Sequence, residues 1–157
     1  MAKKATQARK KPASVLFLPG VFNDTLQLLL ESYEYFQQHG VEDQMNISSL
    51  ERTAYTCEMS RLTMRLSTVM AWLMIRKAEF AGKLSAKEAN QKFQFETKEL
   101  CLTQNIEAEH ILPPPMRELL ERSLQLYERV VRLDAQLREA APPPKPRPKK
   151  KKSKNLK

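Results

Sequence analysis

Glycine is scarce in this 157-residue chain, with three in all, at Gly20, Gly40 and Gly82. A loop that cradles phosphate needs several glycines close together, so that kind of nucleotide site is excluded. Stretches of alternating apolar and polar residues rich in β-branched side chains are also lacking, which argues against a sheet protein. Two histidines (His39, His110) and two cysteines (Cys57, Cys101) are dispersed along the chain. They match no metal-ligand spacing and supply no nucleophile with a recognisable base, so no enzyme activity, metal or cofactor is expected. The cysteines are expected to stay reduced, because no secretory signal is visible and the expected compartment is the cytoplasm. The apolar run Leu66–Ile75 is closed by Arg65 and Arg76. It falls well short of the roughly 20 residues a membrane span needs, so no membrane span is expected.

What is abundant is positive charge, and its location matters more than its sum. The formal charge is +9, from 27 Lys and Arg against 18 Asp and Glu. Residues 1–12 hold five bases and residues 142–157 hold eight, with no acid in either segment. The 14 remaining bases face all 18 acids, a net charge of about −4 for the middle of the chain. A mildly acidic body therefore carries two basic ends. The end segment PPPKPRPKKKKSKNLK has almost no apolar residue to offset the entropy of ordering, so it reads as a disordered tail, and the basic start reads as a disordered arm. The expected organisation is an arm at 1–14, one helical domain at 15–141 and a tail at 142–157.

The body is dominated by one stretch, Ser48 to Gly82. Tyr55, Met59, Leu62, Leu66, Val69 and Leu73 recur at spacings of four and three, which on a helix makes one buried seam. Ser48 with Glu51 is a capping box and Gly82 a left-handed stop, so both helix ends are legible. From Val69 to Ile75 the apolar residues run all round the helix, which demands partners on more than one side. A first helix is predicted from an N-cap at Asn23, with Phe22 as staple, to His39-Gly40, following a Pro19-Gly20 turn. His39 reads as a capping residue at that helix's end. Residues 41–47 read as a polar connection. A second capping box, Ser85 with Glu88, predicts a short helix reaching about Lys98 or Cys101. After Pro113-Pro114-Pro115, a proline-started helix is predicted to about Arg138, with Leu119, Leu126 and Leu133 alternating with Ser123, Val130 and Leu137.

Several residues carry two readings. Arg61 and Arg65 interrupt the central apolar seam: Glu58 offers Arg61 a surface ion pair, while Arg61, Thr63 and Arg65 together offer donors to an acidic partner. Trp72 is either core or a binding hot spot. Met45, Met59, Met64, Met70 and Met74 either fill the core or form a pliable binding surface. Lys149, Lys150, Lys151 and Lys152 would attract any polyanion, so a nucleic-acid reading rests on the basic ends alone.

The segment MSRLTMRLSTVMAWLM at 59–74, followed by LPPPMRELLERSLQLYERVVRLDAQL at 112–137, resembles the bacterial family typified by the regulator of CtrA degradation. Arg61, Leu62, Thr63, Arg65, Leu66, Trp72 and Leu73 carry the first motif. Arg117, Ser123, Leu126, Tyr127, Arg129, Leu133 and Asp134 carry the second. The resemblance implies a small all-helical protein, a three-helix bundle with a disordered C-terminal tail; together with the residue reading above, the expected fold is all-α, a three-helix bundle with a long central helix, a short extra helix and disordered basic termini. It also implies a homodimer acting as a non-enzymatic adaptor of the ClpXP protease, with that protease, other adaptors and cell-cycle client regulators as partners. Arg61, Thr63, Arg65, Arg117 and Arg129 are the expected partner-binding residues. Leu62, Leu66, Trp72, Leu73, Leu126, Tyr127 and Leu133 are expected in the core or dimer seam. The alternative is a nucleic-acid-associated helical protein that binds through its basic tails.

Overall fold

In the computed structural model, residues 13–95, 98–103 and 110–140 are described. The expected arm, the tail and the Lys149–Lys152 run lie outside these residues, apart from the arm's last two positions. The elements are α1 (Ala13–His39), α2 (Glu42–Met45), α3 (Ser49–Phe80), α4 (Ala86–Lys92), α5 (Lys98–Leu102) and α6 (Pro114–Ala140), and no strand occurs among the described residues. Helices α1, α3 and α6 each pack on the other two, which makes the expected three-helix bundle with α3 as its long member. Val21 and Leu28 of α1, Leu62, Leu66, Val69 and Leu73 of α3, and Met116, Leu119, Leu126, Tyr127 and Val130 of α6 form its core.

Helix α3 begins and ends as its sequence dictates. The Ser48 hydroxyl accepts from the Glu51 N–H, and the Glu51 carboxylate accepts from the Ser48 N–H at 2.7 Å. Gly82, at φ +72°, supplies the left-handed residue after the helix, a conformation in which a Cβ would be strained. The second capping box, Ser85 with Glu88, starts α4 in the same way.

Three boundaries depart from the sequence reading. Helix α1 starts ten residues before Asn23 and carries Pro19 in its interior, so Pro19-Gly20 is not a turn. An interior proline costs about 3 kcal/mol. Burying side chains such as Val21, fully enclosed, and Phe22, packed on the core, returns roughly 1.5–3 kcal/mol each, and Pro19 itself lies on the exposed side. Residues 42–45 form a helical turn, where a plain connection was expected. It is pinned because Asp43 accepts hydrogen bonds from Tyr35 of α1 and, at 3.1 Å, from Tyr55 of α3. Burial and the Asp43 carboxylate push the Tyr55 hydroxyl up to about 12.

The short helix α4 stops at Lys92 instead of running on to Lys98 or Cys101. Phe93 is extended there, at φ −130° and ψ 126°. Phe93 and Phe95 are two residues apart, which a helix would send to opposite sides but an extended chain sends to one side. Both enter the core edge-on: Phe93 meets Phe95 at 4.9 Å, and Phe95 meets Tyr127 at 5.6 Å between ring centroids. The aromatic pair thus sets the break, and α5 is a separate helix.

Candidate interaction site

The seam residues occupy the interior. Leu62, Leu66, Trp72, Leu73, Leu126 and Tyr127 are buried and Leu133 packs against the core, so they hold the bundle and are not exposed as a seam between copies. Trp72 takes its core reading, at 1% exposure.

Arg65 departs most from its expected role. It is 2% exposed, and its guanidinium donates to Cys101 O (2.7 Å), Leu120 O (3.0 Å), Ser123 Oγ (3.3 Å) and Thr103 O (3.3 Å). Cys101 and Thr103 lie at the end of α5, where helix carbonyls have no partner within the helix. Arg65 therefore caps α5 and ties it to α3 and α6, leaving no fork for a partner. Burial and the neighbouring Arg61 charge push its pKa down, though a guanidinium stays protonated at any ordinary pH. Glu58 and Arg61 do pair, but inward: their side chains are 5% and 12% exposed, so the bond is not a surface one.

A second polar cluster was not anticipated. Asp134 Oδ1 accepts from Trp72 Nε1 at 2.8 Å and from Arg76 Nη2 at 2.6 Å, and Oδ2 accepts from Arg138 Nε at 2.5 Å. Arg76 also donates to Glu79 (2.6 Å) and Asn90 Oδ1 (2.8 Å). Arg138 donates to the carbonyls of Phe93 (2.7 Å) and Asn90 (3.3 Å), closing the end of α4 as Arg65 closes α5. Burial alone would raise the Asp134 pKa, but the bonds from Arg138, Arg76 and Trp72 outweigh it and hold the carboxyl below the usual aspartate range. The signal for this cluster was in the spacing. Tyr55, Leu62, Val69 and Arg76 step by seven along α3, and Leu120, Tyr127 and Asp134 step by seven along α6, so charges of opposite sign stand at two inward positions.

What remains at the surface is limited. Thr63, Arg117 and Arg129 are exposed. Thr63 Oγ1 donates to its own helix at Met59 O (3.0 Å), and Arg129 pairs with Asp24 across α1 and α6 at 3.2 Å. The five methionines divide: Met59 and Met64 pack against the core, Met70 is half-buried, and Met45 and Met74 are 70% and 58% exposed. Leu26, Leu30 and Tyr33 make an exposed apolar stripe on α1, at 42%, 55% and 63%, with the four- and three-residue spacing of one helix face. Between α1 and α3 an apolar groove of about 330 Å³ is lined by Leu18, Phe22, Leu73 and Phe80, with Lys77 at its rim. The Lys77 ammonium lies 5.6 Å from the Phe22 ring centre. Among the described residues no group of His, Cys, Asp and Glu is placed to hold a metal ion. No described helix is long and apolar enough to cross a membrane.

These features define a small all-helical bundle whose buried charges stitch short helices onto the main three and whose free surface offers apolar faces. The chain belongs to the family described as a protein of unknown function (DUF1465), whose model matches residues 10–157. It is also similar to the crystal structure of RcdA from Caulobacter crescentus CB15, at 28% identity and a TM-score of 0.61, over 83% of this chain and 93% of that one. The resemblance to the regulator of CtrA degradation family is therefore supported along most of the length. Among curated proteins, none matches.

Proposed function

We propose that this protein is a non-enzymatic adaptor that helps deliver cell-cycle regulatory proteins to the ClpXP protease. The observation that carries the reading is the likeness to RcdA over most of both chains. The disposition of charge supports it: Arg65, Arg76, Asp134 and Arg138 are committed to internal bonds, while apolar faces and grooves remain at the surface. An adaptor needs no chemistry of its own, because holding a client near a protease raises its effective concentration. The chain works as a homodimer in this reading, with the α1 stripe Leu26, Leu30 and Tyr33 as the seam, since the core residues are not available for it. Thr63, Arg117 and Arg129 are the partner-facing polar candidates that stay exposed.

The test is a reconstituted degradation assay with purified ClpXP and a candidate cell-cycle client. Adding the chain should accelerate loss of the client, and changing Thr63, Arg117 and Arg129 to Ala should slow delivery while the melting curve stays put. Degradation indifferent to the chain, with every candidate client and co-adaptor supplied, overturns the reading. Leu30→Glu should shift the sedimenting species from dimer to monomer. A second reading, nucleic-acid binding through the basic ends, is favoured by the 13 of 27 Lys and Arg that lie in residues 1–12 and 142–157. It requires affinity at physiological salt that vanishes when residues 142–157 are removed.

A further inference from the structure

Helix α1 carries an apolar face whose spacing is the same in both directions. Pro19, Phe22, Leu26, Leu30 and Tyr33 follow one another at steps of three, four, four and three residues, a palindrome about Leu26. With 3.6 residues per turn all five fall within an arc of about 80°. Phe22 and Tyr33 lean to one side of the midline through Leu26, Pro19 and Leu30 to the other. Phe22 and Leu18 line the groove against Leu73 and Phe80 of α3, so the side shared by Phe22 and Tyr33 is the α3 side. None of the five is charged, and the acids at Asp24 and Glu31 are turned away to Arg129 and Arg122 of α6. These pairs make α6 antiparallel to α1. Arg65 reaches Leu120 while Arg76 reaches Asp134, so α6 is parallel to α3. Helices α1 and α3 are therefore antiparallel, and their groove lies near the start of α1 and the end of α3.

We propose that this groove is filled by a second copy of the chain, whose α1 packs antiparallel on the first about a two-fold axis beside Leu26 and whose Tyr33 enters the groove. The inference rests on the homodimer reading and adds to it a register and an occupant. Such an axis sets positions equally far from Leu26 level with each other, Leu30 beside Phe22 and Tyr33 beside Pro19. Being perpendicular to both helices, it keeps every side chain on its own side of the seam. The incoming Tyr33 thus arrives on the α3 side, over Leu18, Phe22 and Phe80, and the incoming Leu30 on the other side, so neighbours interdigitate. Tyrosine suits the place: its ring matches the apolar floor, and its hydroxyl oxygen accepts from the Lys77 ammonium at the rim. Docking covers Tyr33 and Leu30, 63% and 55% exposed in one copy, together with the groove. A two-fold interface uses one patch twice, which a palindromic face satisfies. Depletion of charge is the mark of the centre of a protein interface, whereas nucleic acid or an anionic membrane would call for bases along the face.

The test is disulfide trapping in the full chain, with the exposed Cys57 changed to Ser. Leu26→Cys, beside the axis, should form a cross-linked dimer under mild oxidation. Gln37→Cys lies on the same face of α1, but the two copies of residue 37 would be roughly 33 Å apart along the helices and should stay uncross-linked. Sedimentation then measures the groove: Tyr33→Ala and Phe80→Ser should each weaken the dimer by about tenfold or more, the scale of one lost anchor, and together by less than the product of the two. Circular dichroism melting checks that Phe80→Ser folds; if it does not, Lys77→Ala should weaken the dimer about threefold. Cross-linking at residue 37, or at neither position in a chain that sediments as a dimer, overturns the register and leaves the homodimer reading standing. A folded Phe80→Ser chain that dimerises normally but delivers a client more slowly gives the groove to another protein and overturns the proposal. A chain that sediments as a monomer at micromolar concentration overturns the proposal and the homodimer reading together, while the degradation assay judges the adaptor reading separately.

Discussion

Arg65 and Arg76 are two buried arginines on one face of one helix, about three turns apart, and they are held in opposite ways. Arg65 meets only neutral acceptors, three carbonyls and one hydroxyl. Arg76 meets carboxylates, Asp134 at 2.6 Å and Glu79 at 2.6 Å, with Asn90 as a further acceptor. Both serve one architectural end. Helices α4 and α5 are too short to be stable alone, and each has its last carbonyls satisfied by an arginine from a long helix, Arg138 for α4 and Arg65 for α5. The difference lies in charge. The Arg65 site uses a cation as a fork of donors, whereas the Arg76 site is an ionic network in which one carboxylate serves three donors. Buried arginines are thus no evidence of a docking patch when short helices need capping.

That contrast can be broken most forcefully at Asp134. Asp134→Ala removes the carboxylate shared by Arg76, Arg138 and the Trp72 indole N–H, leaving Arg76 with Glu79 and Asn90, Arg138 with two carbonyls and the indole with no partner, and should cost about 3–5 kcal/mol, read as a lower urea midpoint. Arg65→Ala should cost somewhat less, about 2–4 kcal/mol, because it orphans neutral acceptors and leaves a cavity but no unpaired charge. Arg65→Met, which refills the volume and removes the desolvation of the cation, should recover part of that loss.

Acid should sharpen the distinction. The folded Asp134 pKa lies below its unfolded value, so its contribution is fully present above the ordinary aspartate pKa of about 3.9 and is lost as pH falls through the folded value. Urea midpoints from pH 7 downward should therefore drop more steeply for the natural chain than for Asp134→Asn, while Arg65→Met should leave the steepness unchanged. The smallest effects belong to the surface. Ser85→Ala should cost about 1 kcal/mol by unmaking the cap of α4, and Arg129→Ala at most ~0.5 kcal/mol, its pair with Asp24 being exposed.

The α3 seam, both capping boxes and the proline-started α6 were readable because each depends on residues close in sequence. Pro19 misled because the local cost of a proline is visible, while the burial of Val21 and Phe22 that outweighs it depends on α3 and α6. Phe93 and Phe95 were passed over: the Ser85–Glu88 box predicted a helix running through them, when their two-residue spacing already favoured extended chain. Arg61 and Arg65 were read as surface donors because charge in an apolar run suggests exposure. The seven-residue step that places Arg76 opposite Asp134 was present but has meaning only once α3 and α6 are known to be parallel neighbours.

Local chain chemistry alone settled that this protein is helical, where its long rods begin, which face of each is apolar, and that its bases are concentrated at its ends. Only packing in three dimensions decided that Arg65, Arg76 and Asp134 belong inside and that α4 and α5 are held by arginines from elsewhere. It also decided that α6 runs antiparallel to α1 and parallel to α3. The reason is one of range: caps and helical periodicity act over a few residues, whereas burial, ion pairing and the direction of neighbouring helices depend on segments that lie far apart in the chain.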